Sequence, residues 1–127
     1  MPRSALVVDD SMLIRHTVCR FLEERGFEVE SATNGQDALR ILNESGFRPD
    51  IIVTDMQMPK MTGSELITAL KENPTYAEIP IVILSAKQTA PDIQERRANY
   101  AIFKDIDIEQ QLQTALTAAL GESAMTP

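Results

Sequence analysis

Short apolar runs in this chain end, one after another, in side chains that do chemistry. Ala5-Leu6-Val7-Val8 runs into Asp9 and Asp10, and Ile51-Ile52-Val53 leads to Asp55. Ile81-Val82-Ile83-Leu84 stops at Ser85, and the run over residues 100–103 stops at Lys104. If the runs are neighbouring strands, three carboxylates, one hydroxyl and one ammonium converge at one edge. Clustered carboxylates repel, so such a site calls for a cation. All-oxygen ligands with room for water suit Mg²⁺ or another hard divalent ion. A hydroxyl and an ammonium opposite a metal-bound carboxylate match the needs of a transferred phosphoryl group. Metal and ammonium take its negative charge, and the hydroxyl donates to one of its oxygens.

The elements between these runs read as helices. Residues 11–25 carry Ile14, Val18, Phe21 and Leu22 at helical spacing, and Gly26 ends them. Phe27 and Val29 alternate with Glu28 and Glu30, as on a half-exposed strand. Asn34 caps a helix, with Asp37 three residues on and Ala38, Ile41 and Leu42 inward; Gly46 and Pro49 punctuate. A Met- and Pro-bearing loop over residues 56–62 precedes a helix over 63–72, with Leu66, Ile67 and Leu70 inward and Asn73-Pro74 as stop. The pattern over residues 89–98 predicts a short helix with Thr89 and Asp92 in capping positions. Asp107 caps the last helix, with Ile108, Leu112, Leu116 and Ala119 inward and Gly121 as stop. Five strands alternating with five helices predict an α/β, doubly wound, five-stranded parallel sheet. In such sheets ligands bind beyond the carboxyl ends of the strands, near the topological switch point.

Composition sets the frame. A length of 127 residues suits one domain with its own core, here residues 1–121, followed by a polar, flexible C-terminal tail over 122–127. The net charge of −7 argues against a sequence-independent nucleic-acid binder, so no direct nucleic-acid partner is expected. Cys19 is the one cysteine, which rules out an intrachain disulfide and suits a reducing compartment. No signal peptide and no membrane span is apparent. The expectation is a soluble, cytoplasmic, acidic domain with no membrane partner.

With these residues in place, the chain resembles the receiver domains of two-component response regulators over about residues 4–120. The landmarks are Val8-Asp9-Asp10-Ser11, the run Asp55-Met56-Gln57-Met58-Pro59-Lys60-Met61-Thr62-Gly63, Ser85-Ala86, and Lys104. The resemblance implies a flavodoxin-like strand order 2-1-3-4-5. It makes Asp55 the acceptor of a phosphoryl group from a sensor histidine kinase or phosphotransfer protein. Asp10 corresponds to the direct Mg²⁺ ligand and Asp9 to the acidic partner that acts through water. The Gln57 backbone carbonyl corresponds to the third protein ligand. Ser85 becomes the switch hydroxyl and Lys104 the phosphate-pairing lysine. The implied function is a phosphorylation-activated switch with self-catalysed phosphoryl transfer and autodephosphorylation. It would change affinity for a downstream protein effector, as a monomer or weak homodimer. An acyl phosphate adds a charge of about −1.5 to −2, enough to bias a two-state surface.

Three features depart from the family pattern. Asp105 follows Lys104 where proline usually stands; a cis bond without proline costs about 2.5–4 kcal/mol, so a trans bond or a strained exception is expected. Ala101 takes the usual aromatic position, flanked by Tyr100 and Phe103. The interval from Ser85 to Lys104 is short, which limits the fourth helix to about two to three turns and points to unusual partner recognition. These departures fit a second reading, a degenerate receiver serving as a phosphorylation-independent protein-binding module. The chain ends soon after the last helix, which suits either a stand-alone receiver or part of a longer regulator.

Other reactive residues have plain readings. His16 reads as a surface histidine and Cys19 as a helix-packing residue. Met56, Met58 and Met61 read as loop packing. Gln57 and Lys87 either border the path of attacking water and tune the phosphoryl lifetime, or are solvated loop residues. A flavodoxin is excluded because Asp9 and Asp10 would repel a flavin phosphate. An aspartyl-phosphate phosphatase would want a second aspartate at position 57, where Gln57 stands.

Overall fold

The computed structural model describes residues 3–58, 60–85, 98–104 and 107–121. In chain order the elements are β1 (Ser4–Val8), α1 (Met12–Glu23), β2 (Glu28–Ala32), α2 (Gly35–Ser45), β3 (Ile51–Asp55), α3 (Gly63–Lys71), β4 (Ile81–Ser85), β5 (Tyr100–Phe103) and α4 (Ile108–Leu120). The strands form one five-stranded sheet in the order β2-β1-β3-β4-β5. Every pairing is parallel. This is the doubly wound architecture expected. Four helices lie among the described residues rather than five. The expected short helix over 89–98 falls, apart from Ala98, outside them, as do Lys87, Asp105 and the tail from 122.

Alternate residues of a strand face opposite sides of the sheet, so strands covered on both faces must be apolar throughout. Leu6, Val8, Ile52 and Ile83 pack under α2 and α3 with Leu42, Leu66 and Ile67. Ala5, Val7, Val53 and Leu84 pack under α1 and α4 with Val18, Leu22 and Leu116. Met56 and Met58 are buried in the first layer and Met61 packs on it, confirming the methionines as loop packing. Cys19 packs against the second layer, and His16 is exposed. Edge strand β2 keeps Glu28 and Glu30 outward from that core. Charges at an edge discourage pairing with another chain.

Each helix starts on a side chain that accepts one of the N–H groups a helix leaves open. Ser11 serves α1 as its cap rather than its first residue, accepting from Ile14 N at 3.3 Å. Asn34 accepts from Asp37 N at 2.9 Å, and Asp107 from Gln110 N at 3.2 Å, as the sequence predicts. Thr62 and Glu65 form a reciprocal capping box, with bonds of 3.2 and 2.9 Å. That box aims α3 at the end of β3. Gly63 N donates to the Met56 carbonyl at 3.1 Å. A Cβ at Gly63 would run into the Asp55 carbonyl and lie 2.7 Å from Met56 Sδ.

The close approach at Gly63 allows no methyl group without moving α3 or the β3 end. Gly63→Ala is expected to destabilise the fold by about 1–3 kcal/mol, read as a lower urea midpoint at unchanged slope.

Candidate functional site

The strand register builds the site. β1 and β3 pair with Val8 opposite Thr54, which brings Asp9 level with Asp55. β3 and β4 pair with Asp55 opposite Leu84, so Ser85 follows immediately. β4 and β5 pair with Ser85 opposite Phe103, and Lys104 comes next. Strands lie about 4.8 Å apart. The Lys104 side chain must therefore cross the end of β4 to reach the carboxylates, and its stem is long enough to do so.

Lys104 Nζ stands 3.0 Å from Asp9 Oδ2 and 3.0 Å from Asp55 Oδ1. Asp9, Asp55 and Ser85 are buried; Asp10 is exposed. Backbone N–H groups share the load. Ser11 N donates to Asp9 Oδ1 at 2.8 Å and Gln57 N to Asp55 Oδ1 at 3.3 Å. The Lys104 N–H donates to the Ser85 carbonyl at 2.8 Å, joining the ends of β4 and β5. Asp9 Oδ2 makes no well-aligned hydrogen bond, so Lys104 serves it as an ion-pair partner only.

These neighbours act on Asp55 in opposite senses. Burial and the Asp9 charge push its carboxyl up to about 6, against the pull of Lys104 and Gln57 N. Burial works against the Lys104 ammonium, but its pairing with the Asp9 and Asp55 carboxylates outweighs it and raises its pKa. A metal would relieve the same repulsion. Carboxylate oxygens of Asp9, Asp10 and Asp55 lie within 4.8 Å of one another. Three carboxylates face one ammonium, and one buried oxygen lacks a hydrogen bond. An all-oxygen set of this charge fits a hard divalent cation with waters in its remaining positions.

The side chains of Asp9, Asp10, Asp55 and Lys104 thus meet as expected. Ser85 ends the strand between Asp55 and Lys104. Gln57 is exposed, and its N–H donates to Asp55 Oδ1. Sequence reasoning missed Arg15, whose Nη1 donates to the Asp9 carbonyl at 2.9 Å. It also missed Thr54, whose hydroxyl donates to the Asp55 carbonyl at 2.9 Å. A cation one turn into the helix that follows the acidic pair is the signal that would have found Arg15.

Known proteins share this sequence pattern and fold. The family model described as response regulator receiver domain matches residues 5–117. The response regulator MprA of Mycolicibacterium vanbaalenii is 35% identical over 92 residues, 72% of this chain and 38% of that protein. The chain spans less than half the length of the curated relatives it matches, from 11% to 48%. The chemotaxis response regulator CheY4 of Vibrio cholerae superposes with a TM-score of 0.80 at 33% identity, covering 94% of this chain and 100% of that one. The receiver domain of sensor histidine kinase PA1611 from Pseudomonas aeruginosa shares the fold, with a TM-score of 0.84 at 21% identity over 96% of this chain and 100% of its own. That structure holds a magnesium ion coordinated in its active-site cleft.

The raised Asp55 carboxyl makes a stability prediction for the metal-free protein. Its folded pKa of about 6 lies above the ordinary 3.8, so its favourable contribution is complete below pH 3.8 and lost as pH rises through 6. Asp55→Asn is expected to stabilise the protein by about 1–3 kcal/mol at neutral pH in chelator. The gain should shrink towards zero near pH 4, measured by urea denaturation at both pH values.

Proposed function

The chain belongs to the response regulator receiver domain family, and we propose that its acidic edge takes a phosphoryl group onto Asp55 from a phosphohistidine donor. Receiver domains act in phosphorylation-activated signalling, so the donor is a sensor histidine kinase or a phosphotransfer protein. The supporting observation is the pairing of one ammonium with two buried carboxylates at 3.0 Å each. An Asp55 oxygen attacks phosphorus as the phosphorus–nitrogen bond breaks, and the histidine nitrogen keeps the electron pair. Lys104, already beside Asp55, pairs with the phosphoryl oxygens, and the Ser85 hydroxyl donates to one of them.

Asp10 and Asp55, with Asp9 and the Gln57 carbonyl, are the groups that would hold Mg²⁺. When bound it supplies positive charge to the phosphoryl oxygens. Met12 and Leu13, 75% and 73% exposed in the first turn of α1, offer the donor protein an apolar contact beside the site. Among the described residues no helix is long and apolar enough to cross a membrane. A cytoplasmic place of action accords with the reducing compartment that suits Cys19. The output is a changed affinity for a protein effector, and the domain spans residues 1–121.

Ala101 on β5 favours the second reading, a binding module that needs no phosphorylation. It is half-buried against the α2–α3 layer, and Tyr100 beside it is 40% exposed. One experiment separates the two. Incubation with acetyl phosphate, followed by intact mass, is expected to show one added phosphoryl group that requires both Mg²⁺ and Asp55. A folded protein that gains no adduct, or an Asp55→Asn variant that gains the same one, refutes the phosphoacceptor assignment.

A further inference from the structure

Gln111 lies near the start of α4 and turns its amide back onto β5. Its Oε1 accepts from Phe103 N at 3.0 Å, and its Nε2 donates to the Phe103 carbonyl at 2.9 Å. The same Nε2 donates to the Asp107 carbonyl at 3.3 Å. β5 stands at the edge of the sheet. Backbone groups on the outer side of an edge strand have no strand partner. At Phe103 a side-chain amide supplies that partner, as donor and acceptor together. The neighbouring residue is held from the other side, since the Lys104 N–H donates to the Ser85 carbonyl on β4 at 2.8 Å. Asp107 in turn caps α4 through Gln110 N. One amide therefore links the residue before Lys104 to the start of the helix that follows it.

We propose that Gln111 is a positioning residue for Lys104, fixing the backbone from which the ammonium reaches Asp9 and Asp55. The lysine stem is flexible and crosses a whole strand end, so its reach is set by where its Cα sits. Contacts at 3.0 Å to two separate carboxylates leave little slack. A backbone shift of about 1 Å takes a group out of productive geometry. Edge protection alone would also explain a glutamine here, and the two roles differ in what depends on Lys104.

The kinetic half of the test rests on the phosphoacceptor reading; the spectroscopic half does not. Gln111→Met keeps the length and volume of the side chain and loses all three bonds; Gln111→Ala removes the side chain. In each, the side-chain ¹⁵N resonance of Lys104, assigned by its loss in Lys104→Arg, is expected to move toward that of a free lysine. Phosphorylation by acetyl phosphate with Mg²⁺ is expected to slow about tenfold in either variant. In a Lys104→Ala background the same changes should cost about twofold or less, because the positioned group is gone. An unmoved Lys104 resonance, or an equal loss with and without Lys104, overturns the proposal and leaves Gln111 as an edge cover. If the parent protein takes up no phosphoryl group, the phosphoacceptor reading fails while the resonance still decides this one.

Discussion

Two buried carboxylates sharing one ammonium is the arrangement on which the site depends. Burying a carboxylate without a partner is far more costly than the net stability of a domain this size allows. Asp9 and Asp55 nevertheless sit side by side in the interior edge of the sheet, each 3.0 Å from Lys104 Nζ. One positive charge does not neutralise two negative ones, and burial together with the Asp9 charge raises the Asp55 carboxyl. On the proposed reading, a cation and a phosphoryl group would meet side chains already placed around Asp55, as electrostatic catalysis requires.

The fold makes that imbalance affordable through geometry. Parallel register sets four strand ends at one level, and the helix and loop starts beyond them aim backbone N–H groups at the carboxylates. Ser11 N and Gln57 N are those donors. The α3 start packs on the β3 end so closely that Gly63 has no room for a side chain. At β5 the lysine is held between Ser85 on one side and the Gln111-bound Phe103 on the other. On the proposed reading, a phosphoryl group on Asp55 would draw Lys104 away from its present partners. The strand end and α4 that hold Lys104 would then feel the change, giving local electrostatics a route to a distant surface.

Much of this was legible in the sequence because strand ends carry strong signals. Apolar runs stopping at Asp9, Asp55, Ser85 and Lys104 need only the parallel-sheet rule to bring them together. The Asn34 and Asp107 caps follow from residue type and spacing. Less legible were contacts between a side chain and a distant backbone group, which leave no periodicity. Arg15 on the Asp9 carbonyl and Gln111 on Phe103 are of this kind. Ser11 was read as the first residue of a helix rather than its cap, since both fit a serine before an apolar stripe. Ala115 went unnoticed as a core residue because alanine alone carries little hydrophobic signal.

The most direct test of the central claim is the affinity for Mg²⁺, measured by titrating backbone amide resonances in the native chain, in Lys104→Met and in Asp9→Asn. If the ammonium offsets part of the negative charge that a cation would meet, Lys104→Met binds Mg²⁺ more tightly than the native chain. Asp9→Asn, with one negative charge fewer, binds it more weakly. Equal affinity in all three proteins, or tighter binding by Asp9→Asn, would contradict the account.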